Sequence, residues 1–476
     1  MNIQDDTLDV VIDHLDATGD GIARHRGQRL SVPFTIPGER VRVQLGPPRG
    51  DPRPSDPIEV LEPSPHRIVP RCPHFGPNAE AHRAPCGGCT WQHIAYPEQL
   101  RLKTALVDRL VHAVLPNAPL ACETIPGTDP RHPWGHRHKV HFVFGNAAPG
   151  PARGGAHTNL VMGHYARRSR RLIPVRECPV HDPRGNQLAF NFRDTFARAG
   201  VAAADTQSSR ASRQPRTGSG VLRSLAIRVG AKTRELMATL VVADDADKRL
   251  RTATRKLIDG DPEPPTALHL NVHQRGDAFI FGRETRRLAG TDRMRDEVGS
   301  ISFLMSPTAF FQTNLYAAEI LVRLVVDAVP GGAGVLDLYA GAGLFALPLA
   351  RRGHRVVAVE ENRTAIADGE ASQRLNRIAT RCRFIATPVE VALSGLRTAD
   401  VVILDPPRDG CAAPIIERVF GDLRPRRAIY VSCNPDALAR DLRLITRHSY
   451  SIASLQPVDM FPHTAHVETV AILDRQ

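Results

Sequence analysis

Gly334-Val335-Leu336-Asp337-Leu338-Tyr339-Ala340-Gly341-Ala342-Gly343 runs from an apolar strand into a glycine turn, and Leu344-Phe345-Ala346-Leu347 then opens a helix. Glycine suits such a turn because the backbone must bend sharply and approach a ligand closely. Arg355–Val359, Val401–Leu404 and Ala428–Val431 are further apolar runs, separated by helical stretches. That alternation predicts an α/β fold with a doubly wound sheet, whose ligands sit beyond the carboxyl ends of the strands. Glu360 ends the second strand, where an acid is placed to accept hydrogen bonds from two ribose hydroxyls. Nicotinamide enzymes share this logic. Here only two glycines occur, with Asp337 ahead of them, which favours S-adenosylmethionine over a dinucleotide.

Three segments follow at strand ends. They are Asp405-Pro406-Pro407-Arg408, Val431-Ser432-Cys433-Asn434-Pro435, and Asp459-Met460-Phe461-Pro462-His463-Thr464-Ala465-His466-Val467-Glu468. A lone cysteine at a strand end is ordinarily an inert buried thiol. A thiol with a carboxylate downstream and a nucleotide-type loop upstream instead suggests covalent catalysis beside a bound cofactor.

Together these segments resemble the RNA 5-methyluridine methyltransferases, and the resemblance runs along most of the chain. It implies a class I methyltransferase domain in which Cys433 is the nucleophile and Glu468 the base. It also implies that Gln312, from Phe311-Gln312-Thr313-Asn314, contacts S-adenosylmethionine together with Tyr339, Glu360, Asp405 and the Gly341 and Gly343 turn. Ala340 and Leu344 depart from the family's Cys and Asn, which removes a side-chain contact at Leu344. The chemistry needs these groups. Carbon 5 of uracil is a poor nucleophile until a thiolate adds at carbon 6, and a base must later remove the carbon 5 proton. A buried glutamate has its pKa raised toward the working range. The amino-methylating enzymes use an Asn/Asp-Pro-Pro-aromatic loop and need no cysteine; Arg408 and Cys433 argue against them.

A chain of 476 residues predicts two or three domains. Residues 8–62 read as short strands and turns, suggesting a small barrel of oligonucleotide-binding type. Pro-rich residues 46–57 read as a loop within it. Asp16–Arg24 followed by Ile36-Pro37-Gly38-Glu39 resembles the TRAM domain of RNA-modifying enzymes. The expected division is a TRAM-like barrel over 1–66, a central α+β domain over 67–300, and the methyltransferase domain over 301–476. Within the central part, residues 97–115 predict an amphipathic helix with Leu100, Leu102, Leu106, Leu110 and Val114 near helical spacing, and Asp205–Gly220 a mobile Ser/Arg/Gly-rich insertion.

Lys plus Arg number 62 against 50 Asp plus Glu, a net charge of +12 that favours a polyanionic partner. Trp134-Gly135-His136-Arg137-His138-Lys139 and Arg167-Arg168-Ser169-Arg170-Arg171 are candidate contacts to phosphates and splayed bases. No apolar run spans a bilayer and the first residues are polar, so a cytoplasmic protein without membrane association is expected, as a monomer. Cys72, Cys86, Cys89 and Cys178 supply four thiolate ligands for zinc or an iron–sulfur cluster, and spacing does not choose between them. Their setting resembles the [4Fe–4S] site of the ribosomal RNA members, although thirteen residues separate Cys72 from Cys86, a longer spacing that a bulge at Pro77–Ala84 would absorb. Cys122, Cys382 and Cys411 read as packing residues. The substrate expected is structured RNA, 23S ribosomal RNA ahead of transfer RNA. A noncatalytic RNA-binding iron–sulfur assembly factor is the alternative of another class.

Overall fold

The computed structural model describes residues 7–48, 50–76, 84–147, 159–204, 220–260, 264–274, 280–396 and 398–476. All but Gly220 of the insertion read at 205–220, and most of the bulge read at 77–84, lie outside the described residues.

The N-terminal strands form one six-stranded sheet in the order Thr7–Val11, Arg40–Leu45, Arg53–Glu62, Gln28–Val32, Gly21–His25, His14–Leu15. Alternation places Val10, Val41, Val43, Ala23, Leu30 and Val32 in a small core beneath it. The first and last strands of this order are edges, so the expected barrel is met in part, as a curled open sheet. Residues 53–57 belong to a strand rather than the loop read from their prolines. Pro54 lies near its start, and Pro57 falls opposite Val43 at a register shift, where a missing N–H is tolerated.

A second sheet of seven strands has the order Leu172–Pro174, Leu160–Tyr165, Lys139–Asn146, Leu222–Val229, Leu236–Val242, Ala267–Val272, Glu284–Gly290. Helices Pro183–Arg198 and Lys248–Gly260 cover one face, burying Phe192, Phe196, Leu250 and Leu257 against Phe142, Ile227 and Leu240.

The third sheet carries the doubly wound pattern. Its order is Cys382–Ala386, Arg355–Glu360, Gly334–Leu338, Val401–Leu404, Arg427–Ser432, Glu468–Arg475, Tyr450–Asp459, Ile125–Pro126. The first five strands are parallel, and Glu468–Arg475 runs antiparallel to Arg427–Ser432. Strand order reverses between Gly334–Leu338 and Val401–Leu404, which opens a crevice at their carboxyl ends. Residues 96–126 come from the N-terminal half of the chain yet pack here. Helix Tyr96–His112 buries Val107 and Val111 in the core under this sheet, and Ile125–Pro126 extends the sheet beside Val458 and Asp459. No helix among the described residues is long and apolar enough to cross a membrane.

Candidate active site

The glycine turn is built by left-handed backbone. Tyr339, Gly341 and Gly343 have φ of 62°, 55° and 85°. A side chain at Gly343 would meet the Phe384 ring at 2.9 Å, so close packing demands glycine there. At Gly341 a Cβ would meet nothing within 4 Å, leaving open space above the turn. Glu360 braces the loop: one carboxylate oxygen accepts from Gly341 N at 3.0 Å, the other from Asn362 N at 2.8 Å. The Tyr339 ring packs partly into the core below, which also contains Cys411. Gln312 is half-buried between Phe311, which is in the core, and Asn314. Asn314 organises that segment. It accepts from Ala317 N at the start of helix Leu315–Ala328 and donates to Gly127 O at 3.0 Å and Met460 O at 3.1 Å.

The sheet register explains the next meeting. Ser432 pairs with Thr469 across antiparallel strands, so one step further Cys433, just past its strand, falls beside Glu468, the first residue of the other. Asp405 leaves the neighbouring strand at the same edge, its N–H donating to Leu338 O at 3.3 Å. Burial pushes Asp405 up to about 7. Burial, then the Asp405 charge, push Glu468 up to about 8 against the pull of Arg408. Cys433 is half-buried, and desolvation followed by Glu468 and Asp405 raises its thiol to about 11. Asp337 is fully buried behind them and held well above the usual carboxylate range by burial and by Asp405. The site therefore collects acids in a dry edge, and a cationic ligand would relieve their repulsion.

Two supports lie outside the residues singled out in the sequence. Asn434 caps helix Pro435–Ile445 through Asp436 N and donates to Arg408 O at 2.9 Å, tying the cysteine turn to the Asp-Pro-Pro-Arg loop. Asp441, fully buried on that helix, accepts from Cys411 N at 2.8 Å, from the Tyr430 hydroxyl, and from Arg440 Nε at 2.9 Å. An aspartate inside an amphipathic helix pattern was the one signal that could have marked it. Arg408 in turn donates to His466 Nδ1 at 3.0 Å.

Cys72, Cys86, Cys89 and Cys178 come together at a separate place, lining one cavity of about 330 Å³ with Gln92 and Arg137. Burial pushes the Cys89 and Cys178 thiols up to about 12. Among the described residues, no three His, Cys, Asp or Glu side chains form a group that could hold a metal ion. Cys382 and Cys411 are buried as expected of packing residues, but Cys122 is exposed. The two basic segments are committed in part, while Arg168, Arg170 and Arg171 stay exposed. Arg167 and Arg168 pair with buried Asp20 of the first sheet, and His136 and His138 are buried while Trp134 stacks on His463 at 4.0 Å.

Comparison with known proteins gives this arrangement a lineage. An uncharacterized RNA methyltransferase of Gloeobacter violaceus is 36% identical over 481 residues, covering 99% of this chain and 97% of that protein. One from Thermosynechococcus vestitus is 32% identical, covering 98% of each. The crystal structure of Pyrococcus abyssi tRNA (uracil-54, C5)-methyltransferase in complex with S-adenosyl-L-homocysteine shares the fold. Its TM-score is 0.74 at 24% identity, covering 98% of this chain and 99% of that one. The pattern of the tRNA (Uracil-5-)-methyltransferase family matches residues 233–476, which hold the glycine turn, Asp405, Cys433 and Glu468. The chain belongs to the tRNA (uracil-5-)-methyltransferase family.

Proposed function

We propose that this protein methylates carbon 5 of a uridine in structured RNA, with S-adenosylmethionine as methyl donor. The observation that carries the reading is the register that sets Cys433 beside Glu468, next to Asp405, at the mouth of the crevice. Donor binding is assigned to Gln312, Tyr339, Gly341, Gly343, Glu360 and Asp405. The open space above Gly341 and the acids at the strand ends suit a ligand with ribose hydroxyls and a sulfonium charge.

The Cys433 sulfur, as thiolate, adds to carbon 6 of the uracil, and the ring's electron pair moves toward carbon 5 and the carbon 4 oxygen. Arg408 and the start of helix Pro435–Ile445 favour the thiolate, and the donor's sulfonium brings further positive charge to the same edge. Carbon 5 then takes the methyl group, and the sulfur of the donor leaves as a neutral thioether. Carbon 5 now bears both methyl and hydrogen. Glu468, as carboxylate, accepts that proton; the C–H pair becomes the 5,6 double bond, and the C6–S pair returns to Cys433. A target within folded RNA must be turned out of its stack to reach this edge.

The division into a TRAM-like unit over 1–66, a central unit over 67–300 and a methyltransferase unit over 301–476 is part of this reading. So is a [4Fe–4S] cluster held by Cys72, Cys86, Cys89 and Cys178. Each thiolate of such a cluster binds its own iron, so the four surround a body rather than converge on a point. A roomy cavity lined by all four suits that geometry. The cluster's role would be structural or RNA-facing, since methyl transfer moves no electrons to or from it. The four cysteines beside an N-terminal strand module favour 23S ribosomal RNA over transfer RNA as substrate.

Trapping on RNA containing 5-fluorouridine tests the function. Fluorine at carbon 5 leaves no proton to remove, so the adduct persists in denaturant. The wild type should form it in the presence of S-adenosylmethionine, and Cys433→Ala should not. An adduct that survives in Cys433→Ala would remove the nucleophile assignment. No adduct in the wild type would favour the noncatalytic RNA-binding alternative.

A further inference from the structure

Helix Tyr96–His112 has a polar stripe as well as an apolar one. Tyr96, Gln99 and Lys103 stand at i, i+3 and i+7, on one face of the helix. All three are buried, and all three point at the loop Asp459–Val467 that delivers Glu468. The Tyr96 hydroxyl donates to Asp459 Oδ2 at 2.8 Å. Gln99 Oε1 accepts from His463 N at 2.8 Å, and its amide nitrogen meets His463 Nδ1 at 3.2 Å. Lys103 spends its ammonium group on this one loop: it pairs with Asp459 and donates to Phe461 O at 3.1 Å and His466 O at 2.7 Å.

Those contacts span the loop from its first residue to the second before Glu468. Lys103 and Asp459 are both fully excluded from solvent. A buried ion pair is a poor source of stability compared with apolar packing of the same volume, so its presence calls for another explanation. The loop also holds strain that something must retain. His463 sits at φ 65°, a left-handed backbone that a side-chain-bearing residue adopts only at a cost. Its carbonyl is clamped by Thr90 N at 3.0 Å and Trp91 N at 2.9 Å.

We propose that Lys103 is a positioning residue for Glu468, drawing both ends of the Asp459–Val467 loop together so that the carboxyl reaches the carbon 5 proton. This rests on the reading of Glu468 as the base. Helix Tyr96–His112 thus contributes to the second half of the reaction through the loop it holds.

The test separates adduct formation from adduct release. Lys103→Met keeps the length of the side chain and loses the donors. With ordinary uridine RNA and methyl-labelled S-adenosylmethionine it should form the methylated protein–RNA adduct at a rate near wild type. Release of product should slow on the order of 100-fold, the cost of misplacing a reacting group by about 1 Å. A denaturant-stable, labelled adduct then accumulates, while affinity for S-adenosylmethionine stays that of the wild type. Equal loss of adduct formation and release, or release at the wild-type rate, would overturn the proposal. If Lys103→Met does not fold, Lys103→Gln, which removes the charge and keeps a single amide donor for the loop, carries the same test, with a smaller accumulation expected and the same contrary results. Glu468→Gln is the reference. If it accumulates adduct and the clamp variants do not, only the clamp is wrong; if it does not, the base assignment itself fails.

Discussion

Replacing Glu468 by Gln should change how the protein's stability depends on pH, before any RNA is added. In the folded chain Glu468 keeps its proton up to about 8, because burial and the Asp405 charge disfavour the carboxylate; its ordinary value is 4.5. The folded state therefore binds more protons than the unfolded chain between those values, and stability falls as pH rises through that window. The loss is complete only above about 8. At 1.36 kcal/mol per pH unit, the whole difference amounts to about 5 kcal/mol, of which about 3 kcal/mol falls between pH 6 and pH 9. Glutamine occupies the same space and cannot ionise. Urea unfolding of both proteins at pH 6 and pH 9 reads the effect directly, and contributions from other titrating groups largely cancel in the comparison. Glu468→Gln should gain about 3 kcal/mol on the wild type across that interval. Curves that stay parallel would mean that Glu468 ionises freely, and the argument that this edge is dry would fail.

The acids at the crevice also predict how ligands are told apart. S-adenosylmethionine carries a sulfonium charge and S-adenosylhomocysteine does not, so the ratio of their affinities should rise on the order of tenfold from pH 6 to pH 9 as Asp405 and Glu468 ionise. Calorimetric titrations at the two pH values check this, and a constant ratio would place the sulfonium elsewhere. The two turn glycines should fail differently. Gly343→Ala drives a methyl group into Phe384 at left-handed φ and should cost about 2–5 kcal/mol of stability. Gly341→Ala meets no neighbour, so it should cost about 1–2 kcal/mol while weakening donor binding by more than that strain accounts for. Unfolding and donor titration on both variants would expose an error if Gly341→Ala bound the donor normally.

The sequence carried the parallel sheet because a buried parallel strand must be continuously apolar. Val401–Leu404 and Ala428–Val431 obey that rule throughout, and Gly334–Leu338 obeys it apart from Asp337, whose carboxyl is pushed toward its neutral form by burial; their turn residues then fall at one edge. Cys433 and Glu468 were legible as chemistry but not as neighbours, since their meeting depends on the antiparallel register of Glu468–Arg475. Long-range polar pairs were not legible at all. Lys103 and Asp459 lie 356 residues apart, and helix Tyr96–His112 showed only its leucines in the periodicity. The partners of charged runs were not legible for the related reason that a run of arginines does not reveal a carboxylate elsewhere. Arg167 and Arg168 answer Asp20 on another sheet. Pro54 and Pro57 read as a loop because proline weakens a strand, yet positions near a strand start and at a register shift accept it.

The central claim is that a uridine gains a methyl group at carbon 5. Purified protein, prepared anaerobically so that its thiols stay reduced, would be incubated with methyl-labelled S-adenosylmethionine and separate samples of unmodified 23S and transfer RNA. Each RNA would then be digested to nucleosides and the label located. The account predicts label in 5-methyluridine from 23S RNA, lost in Cys433→Ala. Label in transfer RNA alone would retain the chemistry and reverse the substrate, whereas no labelled 5-methyluridine from either RNA would contradict the account.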